Sequence, residues 1–179
     1  MGYGFQTPPA VADRMVAMAA EDASVFQRPD PLSILEPCSG LGSLVAAARR
    51  AFPKARVDSF ELDADYCREQ RNRVGDVVQA DFFKLPTPAE KYDLVVANPP
   101  HSPMMRGYEM MDRLVAFSDR IVVIMPWLWM INSQARHEVW RPHIRRIVQL
   151  PRSTFPGARI QTAIFDVDLS RRFESTSYT

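Results

Sequence analysis

An α/β fold, built on a mainly parallel seven-stranded sheet with helices on both faces, is predicted by three observations. Short apolar runs alternate with helical segments along most of the chain, the pattern of strands joined by crossover helices. One run, residues 120–125, is almost continuously apolar, as expected of a strand buried on both faces. Residue types that carry chemistry fall directly after successive strands, where such sheets bind ligands.

The N-terminal segment 5–9 reads as an extended arm, because Pro8 and Pro9 hold it out of a helix. The spacing of Val11, Met15, Met18 and Ala19 predicts a helix over 11–20. Arg28-Pro29-Asp30-Pro31 is a breaker ahead of a first strand at 32–36. A helix over 40–51 follows and stops at Pro53. Next come a strand at 57–62, a charged helix over 66–74, and strands at 77–80 and 92–97. A helix over 108–118 leads into the strand at 120–125. A helix over 134–143 ends around Pro142, and the last two strands lie at 147–150 and 163–169. Residues 170–179 read as a frayed polar tail. The organisation expected is one domain over 1–170, with 1–30 as its arm and first helix, followed by a tail over 171–179.

The 179 residues, 46% hydrophobic and 24% charged, are those of an ordinary globular domain. No stretch approaches the roughly 18 apolar residues of a membrane span. No basic segment followed by an apolar one opens the chain, so no leader is expected and a cytoplasmic setting is. Cys38 and Cys67 have no metal-ligand spacing, and His137 and His143 read as helix-surface residues, so no metal site is expected. Net charge is +1, but residues 101–179 carry 11 basic and 7 acidic side chains. The basic ones are all arginine, among them Arg136, Arg141, Arg145, Arg146, Arg152 and Arg159. Arginine suits phosphate contacts; a general preference for Arg over Lys, 19 against 3 in the chain, is the alternative. Trp127, Trp129 and Trp140 read as core or rim aromatics, and Met104, Met105, Met110 and Met111 as helix packing.

Four strand ends carry the candidate site. The first ends in Glu36-Pro37-Cys38-Ser39-Gly40-Leu41-Gly42, whose two glycines allow a tight turn and close approach of a ligand, or a turn alone. The second ends in Phe60-Glu61-Leu62-Asp63. Glu61, about 20 residues beyond the glycine turn, is placed to accept from ribose hydroxyls, while Asp63 or Asp65 caps the next helix. The third ends in Asp81-Phe82, a carboxylate for an adenine amino group and an apolar ring for its face. The fourth ends in Asn98-Pro99-Pro100-His101. Both prolines fix φ and donate no hydrogen bond, which leaves the Asn98 side-chain oxygen and the Pro99 carbonyl as outward acceptors. Two acceptors at one edge hold both hydrogens of a planar amino group. They favour its tetrahedral form and so raise the nucleophilicity of its lone pair.

This set resembles the amino-methyltransferases of the class I S-adenosylmethionine-dependent, Rossmann-like fold. Phe5-Gln6-Thr7-Pro8-Pro9 is similar to the Thr-Pro arm of N6-adenine DNA methyltransferases, including type I modification subunits. Leu150-Pro151-Arg152-Ser153-Thr154-Phe155-Pro156-Gly157, followed by Thr162-Ala163-Ile164-Phe165, is similar to their segment after the sixth strand. The resemblance runs from about Phe5 to Leu169. It implies S-adenosylmethionine as cofactor, held by Thr7, Glu36, Cys38, Gly40, Gly42, Glu61, Leu62, Asp81, Phe82 and Asn98. It implies catalysis at Asn98, Pro99, Pro100 and His101, and substrate contacts from His101, Phe155 and Arg152. The implied activity is formation of N6-methyladenine in DNA, as in restriction-modification. Alternatives are RNA adenine, a protein glutamine amide, or a catalytically degenerate partner subunit.

Two departures from that family stand out. It usually has Tyr, Phe or Trp where this chain has His101, and an imidazole stacks less broadly on a flipped-out base. With an ordinary pKa near 6.5, His101 leads to an expected pH dependence between about 5.5 and 7.5. Family members that act alone also carry a target-recognition domain beyond the last strand, whereas this chain runs about ten residues past Leu169. Sequence choice is then expected from loops 102–107 and 151–161, from a specificity subunit, or through self-association.

Overall fold

The structure, a computed structural model, describes residues 5–21 and 31–179. The breaker predicted at Arg28-Pro29-Asp30 lies outside the described residues. The elements in chain order are α1 Pro9–Ala20, β1 Ser33–Glu36, α2 Ser43–Ala51, β2 Arg56–Glu61, α3 Ala64–Arg73, β3 Val78–Gln79, β4 Leu94–Ala97, α4 Met104–Leu114, β5 Arg120–Pro126, α5 Leu128–Ile131, α6 Gln134–Trp140, β6 Ile144–Gln149, β7 Thr162–Asp168 and β8 Ser177–Tyr178. One sheet runs in the order β3-β2-β1-β4-β5-β7-β6-β8. All neighbours pair in parallel except β7, which is antiparallel to both β5 and β6.

The period-two alternation of strands divides the core between the two faces. On β5, Ile121, Val123 and Met125 point into one apolar cluster and Val122 and Ile124 into the other. On β4, Val95 and Ala97 oppose Leu94 and Val96 in the same way. One cluster is covered by α4 together with Trp129 and Trp140, whose rings lie 5.3 Å apart. The other is covered by α1 and α2 through Met15, Val16, Met18, Leu44 and Ala48. Every residue of β5 is buried, as its apolar run requires. Asp63 caps α3, accepting from Asp65 N at 2.8 Å and Tyr66 N at 3.1 Å.

Among the described residues the sheet has eight strands rather than seven. The tail expected to fray forms β8, with Arg146 opposite Ser177 and Ile147 opposite Tyr178. Gln149 N donates to Thr179 O at 3.0 Å, and Thr179 N to Ile147 O at 3.1 Å. Both residues of β8 are exposed, so an outermost strand leaves no apolar pattern to read. α5 was also not foreseen, since four residues carry no periodicity.

Most of the arginines that could have served phosphate contacts are engaged within the fold. Asp166 on β7, fully buried, pairs with the buried Arg120 of β5 and, at 2.7 Å, with Arg145 of β6. Arg145 also donates to Met18 O at 2.9 Å, and Arg146 pairs with Glu21 at 2.7 Å, which ties the end of α1 to the sheet. Arg141 donates to the Phe173 and Glu174 carbonyls, and Arg136 to the Trp129 carbonyl.

Candidate active site

β1 and β4 lie side by side at the centre of the sheet, where the chain order reverses direction. Their carboxyl ends and those of β2 and β3 open into one cavity of about 870 Å³. Such a reversal opens a crevice, because the connections leave on opposite faces.

The glycine loop forms the cavity floor. Ser39 N donates to Phe60 O at 2.9 Å, and Gly42 N to Ser39 O at 2.8 Å, closing a tight turn. Gly40 has φ +55°, and a Cβ there would stand 2.5 Å from the Gln6 side-chain oxygen. Glycine therefore lets the N-terminal arm lie directly on the loop, where Gln6 Oε1 accepts from Leu41 N at 2.8 Å. Gly42, at φ +84°, faces Gln70 and Val74 of the neighbouring segment instead. It does not line the cavity, so its service is to the turn and to packing.

Two carboxylates follow the loop. Glu61 Oε2 accepts from Gly40 N at 2.7 Å, and Oε1 from Asp63 N at 2.8 Å. A carboxylate has about four lone-pair sites, so Glu61 keeps capacity toward the cavity that it lines. Glu36 is 1% exposed and accepts from Cys38 N at 3.1 Å. Burial, with the nearby Glu61 charge adding and the Cys38 hydrogen bonds opposing, pushes its carboxyl up to about 8. The Cys38 thiol is pushed up as well, by burial and then by Glu36 and Glu61, and it donates to Asn98 O at 3.4 Å.

On the far side, Leu62 presents an exposed apolar face to the cavity. Asp81 caps the short turn after β3, accepting from Phe83 N at 3.0 Å. Phe82, expected as the ring facing a ligand, is 3% exposed and packs at 4.8 Å from Phe117 in the core, so it meets the cavity only at its margin. Its neighbour Phe83 is half-buried, with Arg106 stacked 3.8 Å over its ring. Phe83 and Arg106 both line the cavity, and neither was picked out in the sequence.

The Asn-Pro-Pro segment forms the opposite wall. Asn98 Nδ2 donates to Phe5 O at 2.9 Å and to Thr7 Oγ1 at 3.1 Å. Both amide hydrogens are thereby used by the arm, and Oδ1 is left as the acceptor on the other edge. Pro99 and Pro100 line the cavity beside it and bring no backbone donor.

His101 also lines the cavity but turns its ring toward α4. A Cβ on Gly107 would stand 2.6 Å from His101 Nδ1, so glycine at that position makes room for the imidazole. Burial pushes its pKa down to about 4, with the Ile124 backbone opposing in part. The titration expected between 5.5 and 7.5 is therefore displaced, and the ring is neutral across that range. In the unfolded chain the group regains its ordinary 6.5 and binds an extra proton between the two values. Its contribution to stability is complete above about pH 6.5 and is lost as pH falls toward 4. Between urea titrations at about pH 7.5 and 5, the unsubstituted protein should lose about 2 kcal/mol more than His101→Phe, the comparison cancelling the opposite contribution of the buried Glu36; the same change in both proteins would assign no share to His101.

The β6–β7 loop closes the mouth. Phe155, expected against the substrate, does border the cavity, but at 5% exposure it meets it only at the margin and otherwise packs in one apolar cluster with Leu150 and Val148 as an anchor of the loop. Its ring meets that of Phe5 at 6.1 Å, and Phe5 is the exposed partner, at 49%. Arg152 does not line the cavity; it donates to the Arg159 carbonyl at 3.2 Å, and Arg159 stands at the wall in its place. The remaining candidates, Thr7, Glu36, Cys38, Gly40, Glu61, Leu62, Asp81 and Asn98, do converge on this cavity. No group of three His, Cys, Asp or Glu residues suited to a metal occurs among the described residues. No helix among them is long and apolar enough to cross a membrane.

No family model matches the chain. It is 37% identical over 83 residues to a ribosomal protein uL3 glutamine methyltransferase of Burkholderia pseudomallei, a match over 38% of this chain and 27% of that protein. It is 31% identical over 114 residues to the modification methylase CviBIII of Paramecium bursaria Chlorella virus NC1A, over 62% of this chain and 29% of that one. The chain thus spans less than a third of either relative's length. In structure it is similar to the methyltransferase subunit of a type I restriction-modification system from Streptococcus thermophilus. The TM-score is 0.75 at 17% identity, over 93% of this chain and 45% of that one. The Rossmann-like fold of these methyltransferases is the fold of this chain.

Proposed function

We propose that this chain, a class I S-adenosylmethionine-dependent methyltransferase in fold and motif, methylates an amino nitrogen, with N6 of adenine in DNA as the acceptor. The observation that carries the reading is the Asn98 amide, whose two hydrogens are held by Phe5 O and Thr7 Oγ1. Its oxygen and the Pro99 carbonyl form an acceptor-only edge. Such an edge takes both hydrogens of an amino group and offers none, so it selects a donor nitrogen over an oxygen acceptor.

The cavity also suits the cofactor. A buried acid raised to about 8, as Glu36 is, fits a cationic group, whose arrival would restore the carboxylate. Glu61 would hold the ribose hydroxyls, with Asp81 accepting from the adenine amino group and Leu62 and Phe83 facing its ring. When bound, S-adenosylmethionine supplies an electrophilic methyl group. Asn98 and Pro99 draw the acceptor nitrogen toward tetrahedral geometry, which localises its lone pair for attack on that methyl carbon. The nitrogen proton leaves after the new bond forms, so no general base must act first. Loops 102–107 and 151–161 flank the mouth and would supply sequence choice, alone, through self-association or with a specificity subunit.

Glu61→Ala should weaken S-adenosylhomocysteine binding by about 1.5–3 kcal/mol, the range for hydrogen bonds to a charged group. Calorimetry that gives an unchanged affinity would remove Glu61 from the ribose role. The acceptor is tested by incubating unmethylated plasmid DNA with the protein and labelled cofactor, then digesting to nucleosides. N6-methyladenine supports the reading, and unlabelled nucleosides overturn it. A protein glutamine amide is the second reading. It is favoured by the similarity to the uL3 glutamine methyltransferase. Label recovered in ribosomal protein rather than DNA would decide for it.

A further inference from the structure

We infer that the N-terminal arm is a positioning element for the acceptor edge: Phe5, through its carbonyl, and Thr7, through its hydroxyl, hold the Asn98 amide in the orientation that methyl transfer needs. The inference rests on the role of Asn98 proposed above. An asparagine amide presents oxygen on one edge and nitrogen on the other, and a half-turn about its terminal bond exchanges them. Here the choice is decided by the arm. The Phe5 carbonyl accepts and cannot donate, so the amide edge that faces it at 2.9 Å must carry the N–H groups. The flipped amide would set two oxygens against each other and turn its donors into the cavity, where they would repel an amino group.

Thr7 completes the edge. Its hydroxyl takes the amide nitrogen at 3.1 Å, and the residue is 8% exposed. The arm is fastened independently at Gln6, whose side-chain oxygen takes Leu41 N at 2.8 Å against the bare face of Gly40. Pro8 and Pro9 carry it straight into α1, so its course is stiff on that side. One short segment thus joins the glycine loop to the acceptor residue. Thr7 acts through Asn98 and not on the acceptor itself.

Two measurements test this. In steady-state transfer to unmethylated plasmid DNA at saturating cofactor, Thr7→Val should lower kcat by about tenfold, the scale of one lost hydrogen bond, with KM for DNA within about twofold. Thr7→Ser should restore kcat. A Thr7→Val effect confined to KM, or one that Ser does not rescue, would overturn the positioning role. The second measurement needs no activity. The Asn98 side-chain amide pair is assigned in a 15N–1H spectrum by its disappearance from Asn98→Ala. Thr7→Val should shift both of its signals and speed their exchange with water by about tenfold or more; Thr7→Ser should leave both near their original positions. Signals unmoved in Thr7→Val would overturn the contact. If the unsubstituted protein transfers nothing to DNA, the acceptor reading falls, and the amide signals still decide whether the arm orients Asn98.

Discussion

Asn98→Ala should lower turnover by roughly 100-fold or more while cofactor affinity stays nearly unchanged, as for loss of one oriented polar group that acts in the transition state. The size follows from the position of the amide. Its hydrogens are engaged by Phe5 O and Thr7 Oγ1, so the geometry of Oδ1 is set before an acceptor arrives and costs no reorganisation during reaction. Alanine removes that oxygen and leaves the Pro99 carbonyl as a single acceptor, which holds one amino hydrogen and does not enforce a tetrahedral nitrogen. In the proposed reading Glu36, Gly40, Glu61 and Asp81, which also line the cavity, would hold the cofactor, and its binding should stay as before. Single-turnover transfer and calorimetry with S-adenosylhomocysteine check the two halves separately. A mutant as fast as the original would sink the mechanism.

Asp166→Asn should destabilise the domain by about 3–5 kcal/mol, the usual cost of removing one partner from a buried ion pair. Domains of this size are stable by only about 5–15 kcal/mol, so the loss is a large fraction of the whole. Asp166 is fully buried on β7 and faces Arg120 of β5, itself 5% exposed, and Arg145 of β6. It is thus the charge that joins the three strands. Urea unfolding should show the drop in midpoint with the slope retained. Replacing the pair together, Arg120→Met with Asp166→Leu, should recover part of it, because the buried Arg120 charge goes as well, while the partly exposed Arg145 still loses its carboxylate. A single mutant within 1 kcal/mol of the original protein would mean that the pair is dispensable.

What the sequence revealed, and what it hid, has a common physical cause. β4 and β5 could be read because a strand buried on both faces is nearly all apolar, as these are apart from Arg120 at the start of β5, whose charge Asp166 meets. Asn98-Pro99-Pro100 could be read because proline restricts the backbone wherever it stands. The pairing of Thr7 with Asn98 could not, since the Thr-Pro arm marks Thr7 as a site residue but carries no sign of a contact 91 residues away. The arginines misled for a similar reason. Arg145 and Arg146 look like solvent-facing cations until the register of β6 against β7 places them beside Asp166. For Phe155, a loop aromatic between two prolines reads as a substrate contact, and it borders the cavity while the cluster with Leu150 and Val148 buries most of its ring. His101 kept its place at the cavity but not its chemistry, because burial is a property of neighbours such as Gly107 rather than of the residue.

The two-residue strand β8 has a colloidal consequence. A sheet that ended at β6 would present a run of open N–H and C=O groups, a template on which a second molecule can add its own strand. Ser177, Tyr178 and Thr179 occupy part of that template, and the new margin is too short and too wet to serve as another. At the opposite margin β3 is equally brief and exposed. Among the described residues the sheet therefore narrows to two exposed residues at each margin, which leaves little ladder there for a strand of another molecule to extend.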